Sequence, residues 1–513
     1  MDRKIWEHYV NKFNENDEEL TVQMISNAQA AQWIEDEVPA FECSDPLFEE
    51  IYYFRWWVFR KHIKKTKNQR IITEFLPAVP WAGPYNSINC ANGHHIAEAR
   101  WLKHDRTLVP EYIEFWLKGE GDERSYSTWI ADAVYQYALV SGDKETAVNM
   151  LPDLVACYEK IEESNMTEYG LFWSDDDRDA MELSISGRGM RPTLNSYMYG
   201  NAKAIASIAK WSGENKIQEI YQRKAQLLKE KIVEMLWDPK DGFFKVIPQR
   251  DKNAHVPLAF AEIEPEHNVK EELGYIPWAF SIPSSQQNAA WKYLKQDDCF
   301  CSPAGTTTAE RNHPRYMNSG SPHECQWNGP VWPFATTQTL NSMIRLLQSG
   351  ETQEVTKRDF IEQLRIYAQS HYRVNEEGKT INWLDENIDP ESGQWLSREI
   401  LKRMGWPERK GGYERGKDYN HSAFADLIIR GLCGVCAGEE EELILNPLLK
   451  EGMLHYFRIE DLPYKNHRLT ISYDETGTRY GNGKGFALEV DGKMQFCQRK
   501  LEKVKVALGG SPA

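Results

Sequence analysis

Carboxylates cluster between two tryptophans in the peptide "WLDENIDPESGQW", residues 383–395. Glu386 directly follows Asp385, and Trp383 and Trp395 enclose the cluster. Desolvation beside large aromatic rings makes a charge costly, so the arrangement needs a reason. An ordinary acidic surface turn is one interpretation. The other is a catalytic carboxylate that meets a polyhydroxylated substrate stacked on indole, with Trp383 among the substrate contacts.

Three further segments, 77–102, 170–202 and 306–337, combine aromatic rings with ionisable side chains, and "DYNHSAFADLIIRGL" follows the acidic peptide at 418–432. Each segment precedes or begins a strongly periodic helix. We therefore expect all of them to lie on one rim of the molecule. The candidate substrate contacts that they carry are Trp81, His94, His95, Glu98, Trp173, Arg188, Arg191, Asn195, Glu310, Arg311, Trp327, Asn328, Trp332 and His421.

Several of these candidates have competing interpretations. Arg188, Arg191 and Asn195 either anchor hydroxyl groups or are surface residues and helix caps. Glu310 and Arg311 are either a buried pair or a substrate clamp. Trp327 is the better sugar platform, whereas Trp332 beside Pro333 is expected to be partly core.

Metal chemistry is not expected. "HHIAE", with His94, His95 and Glu98, lacks the H-E-x-x-H spacing of a helical zinc site, so hydrogen bonds to substrate are the preferred role. "CFC" at 299–301 with His313, His323 and Cys325 matches no standard zinc module. We expect neither a metal nor another cofactor. "CGVC" at 433–436 is interpreted as buried packing cysteines.

The elements that must position these residues repeat along the chain. "SGD" at 141–143 and "SGE" at 212–214 and 349–351 each end one helical pattern and precede the next, with glycines at 142, 213 and 350. A glycine with positive φ ends a helix, and the acidic residue after it favours the start of another. The spacings are one and about two periods of roughly 70 residues, the length of a helical hairpin with a long loop.

Six such hairpins would occupy the chain from about residue 20 to about residue 440. The fold class is therefore predicted to be mainly α, a closed (α/α)6 toroid, with an open α-solenoid as the alternative. After residue 440 the sequence alternates apolar and polar residues with turn signals at 475–477 and 491–492. We expect a barrel domain over 1–440, including an N-terminal helical segment, and a small antiparallel β module over 441–513.

Composition restricts the partners. With 61 basic and 77 acidic residues, the net charge is −16, which disfavours nucleic acid and anionic membranes. Eighteen tryptophans and 24 tyrosines suit a carbohydrate cleft. Nine cysteines without a framework spacing, and no apolar targeting segment, predict a cytoplasmic protein, or a periplasmic or secreted one if a signal peptide has been removed. The oligomeric state is left open.

Three motifs resemble one enzyme family. "QWNGPVWP" at 326–333 resembles the W-x-G-P-x-W-P motif of inverting (α/α)6 glycosidases of the trehalase, processing α-glucosidase and mannosylglycerate hydrolase type. "ENIDPESG" at 386–393 is similar to their E-N-Y-x-P-x-T-G motif, whose leading Glu is the general base. "AMELS" at 180–184 resembles G-M-D-x-S, whose carboxylate is the general acid.

The resemblance implies that Glu182 is the acid and Glu386 the base. Glu182 stands where the motif has Asp, and Ala180 replaces its Gly, so Asp179 competes for the acid role. "YNHSAF" replaces the family's W-S-A type segment. The two glutamates are 204 residues apart, close to three periods, which predicts that they face each other across a sixfold ring. Inversion requires carboxyl groups about 6.5–9.5 Å apart.

The expected function is an inverting, exo-acting glycoside hydrolase for a small oligosaccharide or glycoside, with an α-glucoside as the family-implied substrate. One rival is a sugar epimerase or polysaccharide lyase that uses His94 or His95 as its base. The other rival is a non-catalytic helical scaffold that binds carbohydrate.

Overall fold

The structure, a computed structural model, describes residues 5–257, 259–320, 323–350 and 352–508. Helices dominate these ranges. They are α1 (Ile5–Asn14), α2 (Ala30–Glu37), α3 (Pro46–Lys61), α4 (Asn92–Ala99), α5 (Leu108–Leu117), α6 (Ile130–Ser141), α7 (Lys144–Asn149), α8 (Leu151–Asn165), α9 (Pro192–Ser212), α10 (Asn215–Met235), α11 (Ile276–Ala279), α12 (Pro333–Ser349), α13 (Lys357–Gln369), α14 (Leu396–Arg403) and α15 (Phe424–Leu427), which continues as a π-helix over Ile428–Leu432.

Six of these helices contact one another in sequence. α4 packs on α6, α6 on α9, α9 on α11, α11 on α12 and α12 on α15, and α15 returns to α4. The others lie outside this series, for example α10 against α9 and α13 against α12 and α3. These six helices, called the inner helices below, therefore contact one another in a closed series. Every functional segment predicted above lies between two of them or at the start of one.

Glycines end three of the long helices as the sequence predicts. Gly142, Gly213 and Gly350 follow α6, α9 and α12 with φ of 79°, 78° and 78°. These left-handed values are accessible to glycine without a steric penalty, so the chain can turn sharply into the next helix. The predicted helix ends at 142, 213 and 350 are confirmed, whereas Glu351 of the third tripeptide lies outside the described residues.

Close approach of α4 to α6 depends on another glycine. A Cβ on Gly93 would lie 2.1 Å from the indole of Trp129, the residue just before α6. His94, the next residue, packs its ring edge-on against Trp129 and Phe334, with centroids 5.0 and 4.9 Å away. These rings fill the interior between the inner helices, which fixes the helix ends that carry the polar loops.

The strands fall into small sheets. They are β1 (Ala40–Cys43), β2 (Ile63–Lys65), β3 (Arg70–Ile72), β4 (Trp173–Ser174), β5 (Gly189–Met190), β6 (Trp237–Asp238), β7 (Phe243–Phe244), β8 (Ile247–Pro248), β9 (Cys301–Ser302), β10 (Gly305–Thr306), β11 (Tyr372–Val374), β12 (Thr380–Asn382), β13 (Val435–Cys436), β14 (Glu442–Leu445), β15 (Tyr456–Tyr464), β16 (His467–Asp474), β17 (Gly485–Val490), β18 (Lys493–Gln498) and β19 (Val504–Ala507).

The largest sheet combines the two ends of the chain. Its order is β1-β15-β16-β17-β18, and β1 pairs antiparallel with β15 in a register that opposes Phe41 to Ile459. A second sheet, β13-β14-β19, begins before residue 441. The strands expected over 441–513 therefore share their sheets with β1 and β13, which precede residue 441. In addition, β15 contacts α6.

Membrane insertion has no support among the described helices. None of them combines the length with the continuous apolar character that crossing a bilayer requires.

Candidate active site

A cavity of about 610 Å³ opens where the inner helices begin. Its wall is formed by the segments that precede α4, α6, α9, α12 and α15, so the polar loops converge on one rim. The residues that line it are Glu74, Phe75, Pro80, Trp81, Ile88, Cys90, Tyr126, Ala180, Glu182, His323, Glu324, Cys325, Trp327, Trp332, Phe334, Arg409, Lys410, Arg415, Tyr419 and His421.

Glu182 borders this cavity from a strained loop. The residues Ala180 and Leu183 have φ of 56° and 62°, left-handed values that cost free energy for residues other than glycine. The carbonyl of Glu182 accepts a hydrogen bond from the backbone N–H of Trp327 (2.9 Å), and the Cys325 thiol donates to Glu182 Oε2 (3.0 Å). Burial raises the pKa of Glu182, which the Cys325 hydrogen bond partly opposes.

Glu386 is almost fully buried, with 1% of its surface exposed, and it lies beside the cavity rather than in its lining. Arg415, which does line the cavity, donates from Nε to Glu386 Oε1 (2.5 Å). Burial raises the pKa of Glu386 to about 7, and Arg415 acts in the opposite direction. Among the described residues, Oε2 of Glu386 has no hydrogen-bond partner.

One loop connects the two carboxylates. Its residue Cys325 contacts Glu182, and the carbonyl of its residue Glu324 accepts a hydrogen bond from Nδ2 of Asn387, the neighbour of Glu386 (2.8 Å). Burial raises the pKa of Cys325, and both Glu182 and Glu386 raise it further. The 324–327 loop therefore contacts Glu182 directly and the peptide of Glu386 through Asn387.

Arg415 is held by aromatic rings as well as by charge. Its guanidinium lies 4.7 Å from the ring of Trp81 and 5.4 Å from that of Phe75. The next residue, Gly416, has φ of 77°, and a Cβ there would lie 1.9 Å from Oδ1 of Asp385. A glycine at this position lets the chain pass close to the acidic peptide, so that Arg415 can reach Glu386.

Glu74 is a third carboxyl group in the cavity wall. The Tyr419 hydroxyl donates to its Oε1, and the Cys90 thiol lies 3.5 Å from its Oε2. Burial raises the pKa of Glu74 to about 8, and Glu386 and Glu182 contribute to the rise. Neighbouring carboxylates disfavour one another's ionisation, so Glu74, Glu182 and Glu386 together retain a proton near neutral pH.

Aromatic rings form the apolar part of the wall, as the sequence predicts for Trp327, Trp332, Trp81 and His421. The indoles of Trp327 and Trp332 stack with centroids 4.4 Å apart and planes 14° apart. The His421 ring meets Trp332 edge-on at 5.9 Å, and Trp81 is 39% exposed. Flat stacked rings beside carboxylates are suited to the apolar faces of a sugar.

Asp179, the competing candidate for the acid, is not in the cavity lining. Its Oδ2 accepts from Nε of Arg191 (2.6 Å), and its Oδ1 accepts from the hydroxyls of Ser127 (2.5 Å) and Ser174 (2.9 Å). All of these side chains are buried. Asp179 thus neutralises a buried guanidinium, a structural task that leaves no oxygen directed at the cavity.

The other residues predicted to follow the acid loop also have structural contacts. Arg191 donates to Ser184 Oγ (3.0 Å) besides Asp179, and Asn195 bonds the backbone of Phe172 in both directions (2.8 Å each). The Trp173 indole donates to the carbonyl of Gln249 (2.9 Å), and the Arg188 side chain is 55% exposed, 3.5 Å from Asp175. None of Arg191, Asn195, Trp173 and Arg188 lines the cavity.

His94, His95 and Glu98 are likewise absent from the cavity lining. The ring nitrogens of His95 contact the Tyr112 hydroxyl (2.8 Å) and the Asn420 carbonyl (2.5 Å). Glu98 accepts from the backbone N–H of Ala425 (2.9 Å). The HHIAE segment lies within α4, so its side chains join inner helices instead of facing the rim.

Four remaining candidates lie outside the lining for similar reasons. Glu310 pairs with Lys270 Nζ (2.5 Å), and Arg311 bonds the Cys301 carbonyl (2.6 Å) and Glu391, so Glu310 and Arg311 do not pair with each other. Neither forms a clamp in the cavity.

Asn328 donates to the carbonyl of Arg315 (3.4 Å). Trp383 lies between the guanidiniums of Arg373 and Arg398, 3.8 and 4.5 Å from its ring centre, and donates to Asp385. Trp383 therefore packs against guanidinium groups and Asp385, and it does not line the cavity.

Sequence reasoning missed Glu74, Cys325, Arg415, Tyr419 and Lys410. Lys410 pairs with Glu324 on the loop that connects the two carboxylates. Some signals were present, because Cys325 directly precedes the QWNGPVWP motif and Lys410 and Arg415 flank a glycine pair in "RKGGYERGK". No motif surrounds Glu74 in the sequence. Only the structure, in which Glu74 is buried and bonded to Tyr419, identifies it as a residue of the site.

Metal ligation has no candidate in the described ranges. No group of three or more His, Cys, Asp or Glu side chains there is arranged to hold a metal ion. His323 instead contacts the carbonyl of Cys325 through Nδ1 (2.6 Å).

Comparisons with known proteins identify the family and the fold. Residues 84–422 match the family model of the mannosylglycerate hydrolase MGH1-like glycoside hydrolase domain. A solved structure described as a sialidase is 35% identical, with a TM-score of 0.89 over 98% of this chain and 44% of that one. A GH63 mannosylglycerate hydrolase from Thermus thermophilus, in complex with Tris, has a TM-score of 0.50 at 12% identity over 73% of this chain and 99% of that one, a likeness of fold.

A curated relative, an uncharacterized protein of Borreliella burgdorferi, is 25% identical over 204 residues, which are 39% of this chain and 40% of that protein. The chain thus matches less than half the length of both this relative and the sialidase structure.

Proposed function

This chain belongs to the family of mannosylglycerate hydrolase MGH1-like glycoside hydrolases, and on that premise we propose that it hydrolyses glycosides with inversion of configuration. Glu182 is the general acid and Glu386 the general base. The observation that carries the proposal is that Glu182 lines the cavity and that Arg415, in the same lining, is hydrogen-bonded to Glu386.

Glu182 is suited to donate a proton. It lines the cavity, and burial raises its pKa, so the carboxyl group retains its proton at a pH where an exposed glutamate is ionised. The hydrogen bond from Cys325 occupies Oε2. Oε1 is then the oxygen that protonates the glycosidic oxygen as the bond to the anomeric carbon breaks.

Glu386 is suited to accept a proton from water. Arg415 occupies Oε1 and favours the ionised form, while Oε2 has no partner among the described residues. Oε2 takes one proton of the water whose oxygen attacks the anomeric carbon from the face opposite the leaving group. A movement of Arg415, which separates Glu386 from the cavity, gives that water access.

The arrangement of the helices agrees with such opposed attack. We propose that the six inner helices form the (α/α)6 toroid, with the β strands packed on it. Glu182 precedes α9, third in the series, and Glu386 precedes α15, the sixth, so the two segments are half a turn apart. Their carboxyl groups are then expected about 6.5–9.5 Å apart, leaving room for water.

The cavity suits a small glycoside bound by its terminal sugar. Trp327, stacked on Trp332, offers an apolar platform, and Glu74 and Tyr419 offer hydrogen bonds to hydroxyl groups. We expect an α-glucoside or a related small substrate, cleaved exo-wise. Two further substrates need testing. Mannosylglycerate is suggested by the family name, and a sialoside is suggested by the name of the 35% identical structure.

A glycoside panel followed by proton NMR tests the proposal. The purified protein is incubated with glucosides, mannosides including mannosylglycerate, and a sialoside, and the anomer formed first is recorded before mutarotation. A product of inverted configuration is the expected result. A retained anomer contradicts the mechanism, and an isomerised or unsaturated sugar would establish the epimerase or lyase alternative.

The positions of His94 and His95 favour hydrolysis over that alternative, which needs one of them as a base. Both are buried within α4 and outside the cavity lining. A non-catalytic carbohydrate-binding scaffold is the remaining rival, and absence of turnover with every member of the panel despite saturable binding would support it.

A further inference from the structure

Two further cavities lie among the inner helices. The inner one, of about 80 Å³, lies among all six inner helices, and the outer one, of about 380 Å³, reaches the surface near Lys203. Both are lined by Asp132, Gln136, Ala279, Phe280 and Arg345, so they meet. A cavity needs about 15 Å³ to hold one water, so the two have room for a polyatomic ligand.

These cavities, called the axial cavity below, are separated from the catalytic one. Phe334 belongs to the catalytic lining, and Arg345 lies 11 residues further along α12, about 16 Å at 1.5 Å per residue. The ring of His94, packed against Phe334 and Trp129, lies between the two.

Cationic groups outnumber carboxylates around the axial cavity. Arg100 and Arg430 share Asp426, at 2.5 and 3.1 Å. Arg345 and Lys203 face Asp132, and no ion pair within 4.0 Å joins Arg345 or Lys203 to any carboxylate of the described chain. Four cations against Asp132 and Asp426 leave two positive charges in excess. Glu439, at the outer edge, is engaged by Tyr135 (2.7 Å) and Lys210 (3.6 Å).

Of the two unpaired cations, Arg345 is partly buried and Lys203 is exposed at the entrance. Burial lowers the pKa of Arg345, and the neighbouring Arg430 and Arg100 lower it further, while Asp132 opposes the change. A guanidinium that is partly withdrawn from water and lies near like charges is stabilised by an anionic partner. His94 adds a second polar atom, because its Nε2 is buried without a hydrogen-bond partner among the described residues and its ring borders the inner cavity.

We propose that the axial cavity binds a small oxyanion, a phosphate or sulfate group, between Arg345 and Lys203. Arg345 presents the planar fork of donors that suits tetrahedral oxyanions, and Lys203 adds a mobile charge at the entrance. Gln136 and Asn341 offer polar contacts on either side. The bound anion neutralises the excess charge at the centre of the helical ring, so it stabilises the fold independently of the glycosidase reaction.

Calorimetry and thermal unfolding of the whole chain test the site with inorganic phosphate and sulfate, against chloride at matched ionic strength. Wild type is expected to bind one phosphate saturably and to unfold at a higher temperature in its presence. Arg345→Gln should weaken binding at least tenfold and raise the unfolding temperature without phosphate, because it removes an uncompensated charge. Lys203→Gln, on an exposed side chain, should weaken binding without affecting folding.

Two control variants locate the site. Arg223→Gln changes an exposed arginine of the outer helix α10 and should leave binding intact. Lys410→Gln removes a cation from the catalytic cavity and should also leave it intact. Absence of saturable binding at millimolar phosphate overturns the proposal. Loss of binding in Lys410→Gln but not in Arg345→Gln or Lys203→Gln overturns it too, because the anion then occupies the catalytic cavity.

Discussion

Glu182 and Glu386 are both buried glutamates next to one cavity, yet they are held in different ways. Glu182 lies in the lining on a loop with two left-handed residues, and its side chain accepts a hydrogen bond from a neutral thiol. Glu386 is enclosed behind Arg415, and the backbone N–H of Glu386 donates to Oδ1 of the neighbouring Asp385 (2.9 Å). Burial raises the pKa of both. Arg415 opposes the rise at Glu386, whereas the Cys325 hydrogen bond and the nearby His323 oppose it at Glu182.

This difference separates two roles that the same residue type can perform. A carboxyl group with a neutral partner keeps its proton and can donate it, whereas one paired with a guanidinium tends to ionise and can accept a proton. The two left-handed residues, Ala180 and Leu183, flank Glu182 in the loop that brings it into the cavity lining. Variants of the two residues and of their partners can break or refine the comparison.

Glu386→Gln should have the largest effect. The amide cannot accept a proton from water, so kcat should fall up to about 10⁴-fold while substrate affinity is retained. Steady-state kinetics and calorimetric binding of the best panel substrate measure the two quantities. Glu391→Gln, an exposed glutamate of the same peptide, is the matched control and should keep the wild-type rate. A Glu386→Gln enzyme with a near-normal rate would remove Glu386 from the mechanism.

Glu182→Gln should lower kcat by about 10²- to 10³-fold, since protonation of the leaving oxygen is lost. The loss should depend on the leaving group. An aryl glycoside with an acidic phenol needs little protonation and should be hydrolysed nearly as fast as by the wild type. Rates measured over a series of aryl leaving groups give this dependence, and an equal loss for every leaving group would argue against an acid role.

Asp179→Asn should affect stability instead of chemistry. The change leaves the buried Arg191 without its carboxylate, which costs about 3–5 kcal/mol of unfolding free energy. Urea unfolding followed by tryptophan fluorescence measures the loss, with the exposed Asp177→Asn as control. The activity of the folded fraction should remain within a few-fold of wild type. If kcat falls as it does in Glu182→Gln, Asp179 is the acid after all.

The pH profile of kcat/KM should show an acidic limb near pH 7. Glu386 must be ionised to accept a proton, and because burial raises its pKa to about 7, activity should fall as the pH drops below that value. Arg415→Gln removes the cation that lowers this pKa, so the acidic limb should move to higher pH. An unchanged limb in that variant would mean that another group sets it.

Cys325→Ala should have the smallest effect, a shift of the alkaline limb. The thiol's hydrogen bond lowers the pKa of Glu182, so its removal should raise that pKa and let the acid keep its proton to higher pH. The exposed Cys497→Ala serves as the control and should leave the profile unchanged. A shift of the alkaline limb to lower pH would contradict the contact between Cys325 and Glu182.

Local patterns in the sequence were sufficient for the helix ends and for the motif tryptophans. The glycines at 142, 213 and 350 end helices because a positive φ is a property of the residue itself, independent of distant contacts. Trp327 and Trp332 belong to a loop that begins a helix, and both line the cavity. The HHIAE segment was predicted to contact substrate because its polar residues are visible in the sequence. The direction in which α4 turns these side chains is not visible there, and the structure places them outside the cavity lining.

The sequence by itself determined the helical periodicity, the family motifs and the acidic peptide, because each depends on neighbouring residues. Only the tertiary structure decided which polar side chains meet the cavity. Arg191 and Asp179 pair with each other in the interior, and Arg415, 29 residues after Glu386, returns to cover it. Burial and pairing over long chain distances set these contacts and the pKa shifts that follow, and no local pattern records them.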